Sequence, residues 1–320
     1  TAVGRAALNV NTVNDNTAVG YHAGLSNTTG TQNVAIGTYA LDANTTGIRN
    51  TVVGYNAGGS ITTGQQIVAI GRNALASSTD ADNITAVGHD SFSSTTATRN
   101  VGLGTGTGSS VTTGGDNTYI GAFAGFDSTT GAYNVAVGGY ALFEQTTASS
   151  NTAIGYGALK NNTAASNTAV GESALLVNTS GGGNTAVGAG SLDANTTGSR
   201  NTAVGQSALT SQITSTDNTA IGYQAGKNST GVDNTALGSE ALRDNTSAGQ
   251  NTALGRAVLR VSTGANNTGV GHAALLSNSS GVNNTAVGTN ALDANTTGSY
   301  NVAIGMGSLS NATTANSNTA

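Results

Sequence analysis

Few side chains in this chain of 320 residues could do chemistry. The three histidines, His22, His89 and His272, stand far apart with no metal-ligand spacing between them, so they are expected on turns or outer surfaces. Paired carboxylates for acid and base work would have to come from Asp42, Asp193 and Asp293. These three recur in identical Leu-Asp-Ala-Asn-Thr-Thr-Gly contexts, which marks a structural or solvating position, because a catalytic residue is expected to be unique. Serine is plentiful, yet no G-x-S-x-G elbow stands beside a His and an Asp. The run Gly181-Gly182-Gly183 lacks the Lys and Ser/Thr of a phosphate loop. Triplets such as Asn27-Thr28-Thr29 fit glycan acceptors in form, but here they fit turn chemistry. The expectation is a protein that is not an enzyme, with no catalytic residue, no cofactor and no metal.

The elements that would carry any function are repeats. Units of 16 or 17 residues fill residues 1–320 with the pattern N-T-A-[VI]-G-x-x-A-L-x-x-N-T-T-G-x-x. The fifth position is Gly in all nineteen copies, among them Gly20, Gly37, Gly54, Gly205 and Gly288. A glycine kept while its neighbours vary predicts positive φ or a close backbone approach, and an end to the strand before it. The fourth position is always Val, Ile or Leu and the second is Thr or Val, two residues apart and so on one face of a strand. With the ninth-position Leu they form the predicted core: Val19, Ile36, Leu41, Val53, Ile154, Leu159, Val204, Leu209, Val287 and Leu292.

The third position points the other way, yet it is Ala in fifteen of nineteen copies. A solvent-facing position would tolerate large polar residues, so Ala18, Ala35, Ala69, Ala203 and Ala286 are expected to line a close contact with another chain. Departures from the pattern include Tyr119, Gly102 and Gly269 at that third position; Tyr119 would have to change the spacing between chains or fill a gap there. Where the ninth position is Gly, the sixth is often Tyr (Tyr21 with Gly24, Tyr55 with Gly58, Tyr223 with Gly226), which suggests that the ring fills space Leu leaves. Stacked Asn at the first position, such as Asn184, Asn201 and Asn218, is expected to form amide ladders. The Asn-Thr-Thr-Gly stretch reads as a turn.

Density of Gly and β-branched residues disfavours helix. The fold class predicted is all-β: a repetitive parallel β-solenoid with one coil per 16–17 residues, in a single continuous array. At about 4.8 Å per coil, nineteen coils would rise roughly 90 Å. The apolar content of one coil is thin, so association of several chains, a cyclic trimer fitting best, is expected to bury more. The array starts and stops within a repeat, which predicts a segment of a longer fibre protein.

Composition narrows the partners. Net charge is −5, and the basic residues, such as Arg49, Arg99, Arg200, Arg243 and Arg260, are scattered, so nucleic acid is not an expected partner. Absence of cysteine removes disulfides and thiolate chemistry. No apolar run reaches the length of a membrane span, so this segment is expected to make no membrane contact.

At Asn33-Val34-Ala35-Ile36-Gly37, Asn134-Val135-Ala136-Val137-Gly138 and Asn301-Val302-Ala303-Ile304-Gly305, the chain resembles the head repeat of trimeric autotransporter adhesins of the YadA type. Its N-T-A-[VI]-G arrays also resemble those of phage tail-fibre-like proteins. The resemblance covers the whole chain, although the adhesin repeats are shorter than these and Thr here often replaces the first Val. It implies a homotrimeric left-handed β-roll in an extracellular fibre, at a cell surface or on a virion. Such a fibre would be a stiff rod and attachment surface, with sister chains and a host-surface glycan or protein receptor as partners. A glycan-binding solenoid surface, with Asn, Thr and Tyr columns, is the alternative. Ice binding by a threonine array is a third reading, weakened because adjacent Thr residues on a strand point to opposite faces.

Overall fold

A computed structural model describes all residues from Thr1 to Ala320. The chain is all-β, without helix, and falls into two compact units, Thr1–Thr163 and Ala164–Ala320. The first unit holds β1 (Ala2–Val3), β2 (Thr17–Val19), β3 (Val34–Ile36), β4 (Thr51–Val53), β5 (Val68–Ile70), β6 (Thr85–Val87), β7 (Val101–Leu103), β8 (Thr118–Ile120), β9 (Val135–Val137) and β10 (Thr152–Ile154). The second holds β11 (Thr168–Val170), β12 (Thr185–Val187), β13 (Thr202–Val204), β14 (Thr219–Ile221), β15 (Thr235–Leu237), β16 (Thr252–Leu254), β17 (Thr268–Val270), β18 (Thr285–Val287) and β19 (Val302–Ile304). Within each unit every strand pairs in parallel with the next, and like stacks on like: Thr17, Ala18 and Val19 face Val34, Ala35 and Ile36, and Thr185, Ala186 and Val187 face Thr202, Ala203 and Val204. Each unit is therefore a parallel β-solenoid with one coil per repeat, as the period requires.

Strands of three residues put two side chains on one face and one on the other. The face that points inward is the reverse of the sequence expectation. Ala18, Ala35, Ala69, Ala203 and Ala286 lie inside their own coil at 0–2 % exposure, so they cannot line a contact between chains. Val19, Ile36, Ile154 and Val287 point outward at 37–40 % exposure, and Val53 and Val204 are half-buried on the same outer face. The physical reason is width. A regular coil has room for one large aliphatic side chain, the ninth-position Leu, with a methyl group opposite it; where the ninth residue is Gly58, the third is Val52, which is also buried. Leu41, Leu159, Leu209 and Leu292 are buried as expected. Parity agrees: the buried first-position Asn and third-position Ala share the inward direction.

Closing a coil of seventeen residues without proline takes sharp corners. The fifth-position glycines supply one, with φ of 136° at Gly20, 134° at Gly37, 136° at Gly54, 132° at Gly205 and 136° at Gly288. Three more corners per coil are left-handed and mostly not glycine. They fall at the seventh position (Ser207, φ 55°), the ninth (Leu209, φ 51°) and the last (Arg200, φ 57°). A Leu at positive φ costs on the order of 1 kcal/mol, which its burial offsets. Where the ninth residue is Gly the corner is kept, as at Gly24 (φ 60°) and Gly226 (φ 57°).

The volume those glycines free is filled from inside, not by the sixth-position tyrosines. A Cβ on Gly24 would lie 3.0 Å from Leu8 Cδ2, and one on Gly226 would lie 2.7 Å from Leu209 Cδ2, the leucines of the preceding coil. Tyr55 and Tyr223 are exposed and Tyr21 is half-buried, because the residue after the strand-ending glycine sits on the outside of the coil.

Two amide columns line the interior. At the first position the Asn201 N–H donates to Asn184 Oδ1 (2.9 Å), and Asn201 Nδ2 donates to the Ser215 carbonyl (2.8 Å). Asn201 Oδ1 in turn accepts the Asn218 N–H (3.0 Å). The second column, in the Asn-Thr-Thr-Gly turn, joins side chain to side chain: Asn44 Nδ2 donates to Asn27 Oδ1 (2.6 Å) and Asn195 Nδ2 to Asn178 Oδ1 (2.7 Å). Its oxygen is orphaned where the next coil carries no Asn, at Asn44 (before Ile61), Asn195 (before Gln212) and Asn295 (before Ala312). Around Ile61, Ile67 and Ile84, all buried, the amides give way to an apolar filling.

Candidate functional surfaces

The most extended surface is the outer face of the strands. It carries two columns, Thr or Val at the second position and an aliphatic residue at the fourth, repeated in every coil of each unit. Its aliphatic column includes Leu103, Ile221 and Leu237 among exposed residues. The face is in register and uncharged in both columns, and contiguous exposed apolar surface of this kind is uncommon on a chain that stands alone. It does not make a paired threonine lattice, because the fourth-position column is aliphatic throughout.

Tyr119 and Phe92, the two largest side chains in the interior, account for the irregular coil between them. Tyr119 replaces the third-position Ala and Phe92 the ninth-position Leu, with ring centroids 5.9 Å apart. Room comes from glycines: a Cβ at Gly102 would lie 2.7 Å from the Phe92 ring, and one at Gly125 would lie 2.5 Å from the Tyr119 ring. The Tyr119 hydroxyl donates to Ser128 Oγ (3.0 Å), and burial pushes its pKa up to about 12. Tyr119 thus fills its own coil and has no part in spacing chains.

The titratable groups gather at one place, where Arg243 lies 3.4 Å from Glu240 and Glu240 lies 3.8 Å from Arg260. No group of three or more His, Asp or Glu side chains is placed to hold a metal ion. His22 stacks on Tyr21 with ring centroids 3.9 Å apart, and His89 Nδ1 lies 3.0 Å from Asp90 Oδ2. Arg99 and Arg200 make two-pronged pairs with Asp116 and Asp217 on the next coil (2.6–2.8 Å), and Arg243 pairs with Asp244 (2.7 Å), so these cations are locally neutralised.

Asp42 and Asp193 occupy equivalent places in their coils, half-buried, and burial pushes both carboxyls above the usual range against the lowering effect of backbone hydrogen bonds. Asp193 Oδ1 is enclosed without a partner. A carboxyl whose pKa is raised by folding holds its proton to higher pH than the unfolded chain does, so stability is greatest in acid and falls as pH rises through the folded pKa. Asp193→Asn is therefore expected to raise the melting temperature at pH 7 and to leave it unchanged well below the ordinary aspartate pKa of about 3.9. Thermal melts at both pH values check this; equal shifts at both would show that the carboxyl's charge is not the cause.

Aromatic side chains gather on three consecutive coils of the first unit. Phe123 and Tyr140 stack at 5.4 Å (26°), Phe126 and Phe143 at 5.4 Å (13°), and Tyr140 meets Tyr156 edge-on at 5.8 Å. The two columns join through Phe123 with Phe126 (5.6 Å) and Tyr140 with Phe143 (5.3 Å). All five rings reach the surface, Tyr156 with 61 % of its area exposed. The cluster is not legible along the chain because its members sit at the sixth, seventh and tenth positions of different coils. Reading down those columns instead of along the chain would have found it. No protein-family model matches this chain, and no curated protein matches it.

Proposed function

We propose that the chain is a self-associating segment of an extracellular fibre, three copies packed through the outer faces of their strands, that acts as a stiff spacer and attachment surface at a cell surface or on a virion. The observation that carries this reading is the in-register column of Val, Ile and Leu on that face, exposed or half-buried in every coil. Burying it between copies removes apolar area from water at about 25 cal/mol per Å². The Thr methyls beside it pack in the same contact. A threefold axis places the same stripe of each copy around one line and leaves no such stripe exposed. The resemblance to adhesin head repeats supports the trimer and the left-handed coil, now with Val and Ile between chains and Ala within each. Host-surface glycan or protein is the partner class for the attachment surface.

Sedimentation equilibrium tests the association. A mass of three chains is expected, and a double variant, Ile154→Lys with Ile221→Lys, is expected to run as folded monomer, since each lysine would be buried unpaired against its copies. A wild-type chain that sediments as monomer at every concentration would overturn the proposal.

A further inference from the structure

The second unit holds a surface cleft of about 330 Å³, lined by Arg260, Val261, Leu276 and Ser277. It lies where two coils lack a bond. In the coils on either side the eleventh-position N–H donates to the tenth-position carbonyl of the next coil, as Asp244 N–H does to the Arg260 carbonyl (2.8 Å) and Ser277 N–H to the Asp293 carbonyl (3.1 Å). Between Val261 and Leu276 that bond is not made, which leaves a backbone donor and a backbone acceptor beside the gap. The coil that carries Val261, residues 251–266, has one residue fewer than the next, residues 267–283.

Two of the lining side chains are aliphatic, Val261 at 46 % exposure and Leu276 half-buried. Arg260 brings charge, and its guanidinium is poorly satisfied. Nε is enclosed without a partner, and the one ionic neighbour is Glu240, with Nη1 3.8 Å from Oε2. Arg99, Arg200 and Arg243 each set two nitrogens on a carboxylate, whereas Arg260 sets none within hydrogen-bond reach. Glu240 is also shared with Arg243 (3.4 Å), so Arg260 has no carboxylate to itself.

We propose that this cleft binds an apolar monocarboxylate, either an aliphatic acid or the C-terminal residue of a peptide. A carboxylate gives the guanidinium the two-pronged partner it lacks, and the Val261 N–H is a further donor. The aliphatic body covers Val261 and Leu276 and removes apolar area from water. The volume sits at the lower end of the roughly 300–1,000 Å³ of small-molecule sites. Other ligands fit less well. A polyanion would meet Glu240 and Asp244, and inorganic phosphate would leave the aliphatic walls bare. A cation would meet Arg260, and a neutral apolar molecule would take water from the guanidinium without replacing it. All four lining residues belong to one chain, so this inference does not rest on the threefold fibre.

Two-dimensional NMR of the isotope-labelled chain at pH 7, read at the Val261 amide, tests the proposal. The probes are hexanoate and N-acetyl-leucine, with hexanol and inorganic phosphate as controls. A saturable shift with a dissociation constant of about 1 mM or tighter is expected for at least one acid. Tighter binding of N-acetyl-leucine assigns the site to peptide C-termini, and tighter binding of hexanoate to aliphatic acids. Arg260→Gln should weaken binding about tenfold or more, whereas Arg49→Gln, at an exposed arginine of the first unit, should not change it. If Arg260→Gln fails to keep the wild-type melting temperature, Val261→Ser takes its place, since serine stands at the same position at Ser211 and Ser277. It removes an apolar wall and should weaken binding about threefold or more. No saturable shift with either acid, equal binding of hexanol or phosphate, or binding that survives the substitution would overturn the assignment. Sedimentation of the same samples separates the two proposals: a monomer that binds the acids would keep this site and remove the fibre contact.

Discussion

Gly205→Ala is expected to destabilise the chain by about 3 kcal/mol or more. At φ 132° the backbone of Gly205 lies in a region that L side chains scarcely enter, and a Cβ there would sit 2.6 Å from the Gly222 carbonyl carbon of the next coil. Neither problem can relax alone, because moving Gly205 away from Gly222 stretches the pairing of β13 with β14. Gly182 is a fair control: its φ is not in that region, and a Cβ there would meet only the Ala165 carbonyl oxygen, at 3.4 Å, so Gly182→Ala is expected to be much milder. Urea unfolding of both variants decides the matter. In a stack where each coil touches only its neighbours the damage should also be local, so hydrogen exchange should show protection lost first around β13 and its neighbouring strands. Equal, small effects of the two substitutions would sink the backbone argument.

Asn201→Ala is expected to cost about 2–6 kcal/mol, since it strips partners from two buried backbone groups at roughly 1–3 kcal/mol each. The Asn218 N–H loses its acceptor, the Ser215 carbonyl loses its side-chain donor, and no water reaches either because Asn201 is wholly buried. Loss of volume adds a small cavity. The coils that open on Ile67 and Ile84 show that the column can be apolar, but their turn positions hold Ser78 and Thr95 in place of Asn and the coil before them holds Ile61, so the change comes as a group. A lone Asn201→Ile is therefore expected to remain destabilising. Denaturant titration of N201A and N201I against wild type measures both, and a loss below about 1 kcal/mol for the alanine variant would show that these amides are replaceable spacers.

Repetition made much of this protein legible. A period of sixteen or seventeen residues with a glycine at one fixed place located the strands, the strand-ending corners and the buried ninth-position leucines, because each depends on a residue's own conformational range and its distance from that glycine. The stacking of the first-position Asn was legible for the same reason, since identical residues one coil apart must stack; that Oδ1 accepts the next coil's backbone N–H while Nδ2 turns to a turn carbonyl was not. The second ladder, in the turn, was not, since Asn is a turn former in its own right and nothing local says that Asn44 reaches Asn27. The left-handed leucines were hidden too, as positive φ at Leu209 follows from closing the coil and not from any preference of leucine.

The surfaces were decided at a higher level. A strand of three residues has two faces, and alternation alone does not say which is inside. The β-branched pair looks like core by residue type, yet seventeen residues close into a coil whose interior, shared with a leucine and two amide columns, admits only the methyl of Ala203. The order of residues along the chain thus determined the repeat, its strands and its corners. The width of the closed coil, which no single repeat encodes, decided that alanine is covered and that valine and isoleucine are left on the outside.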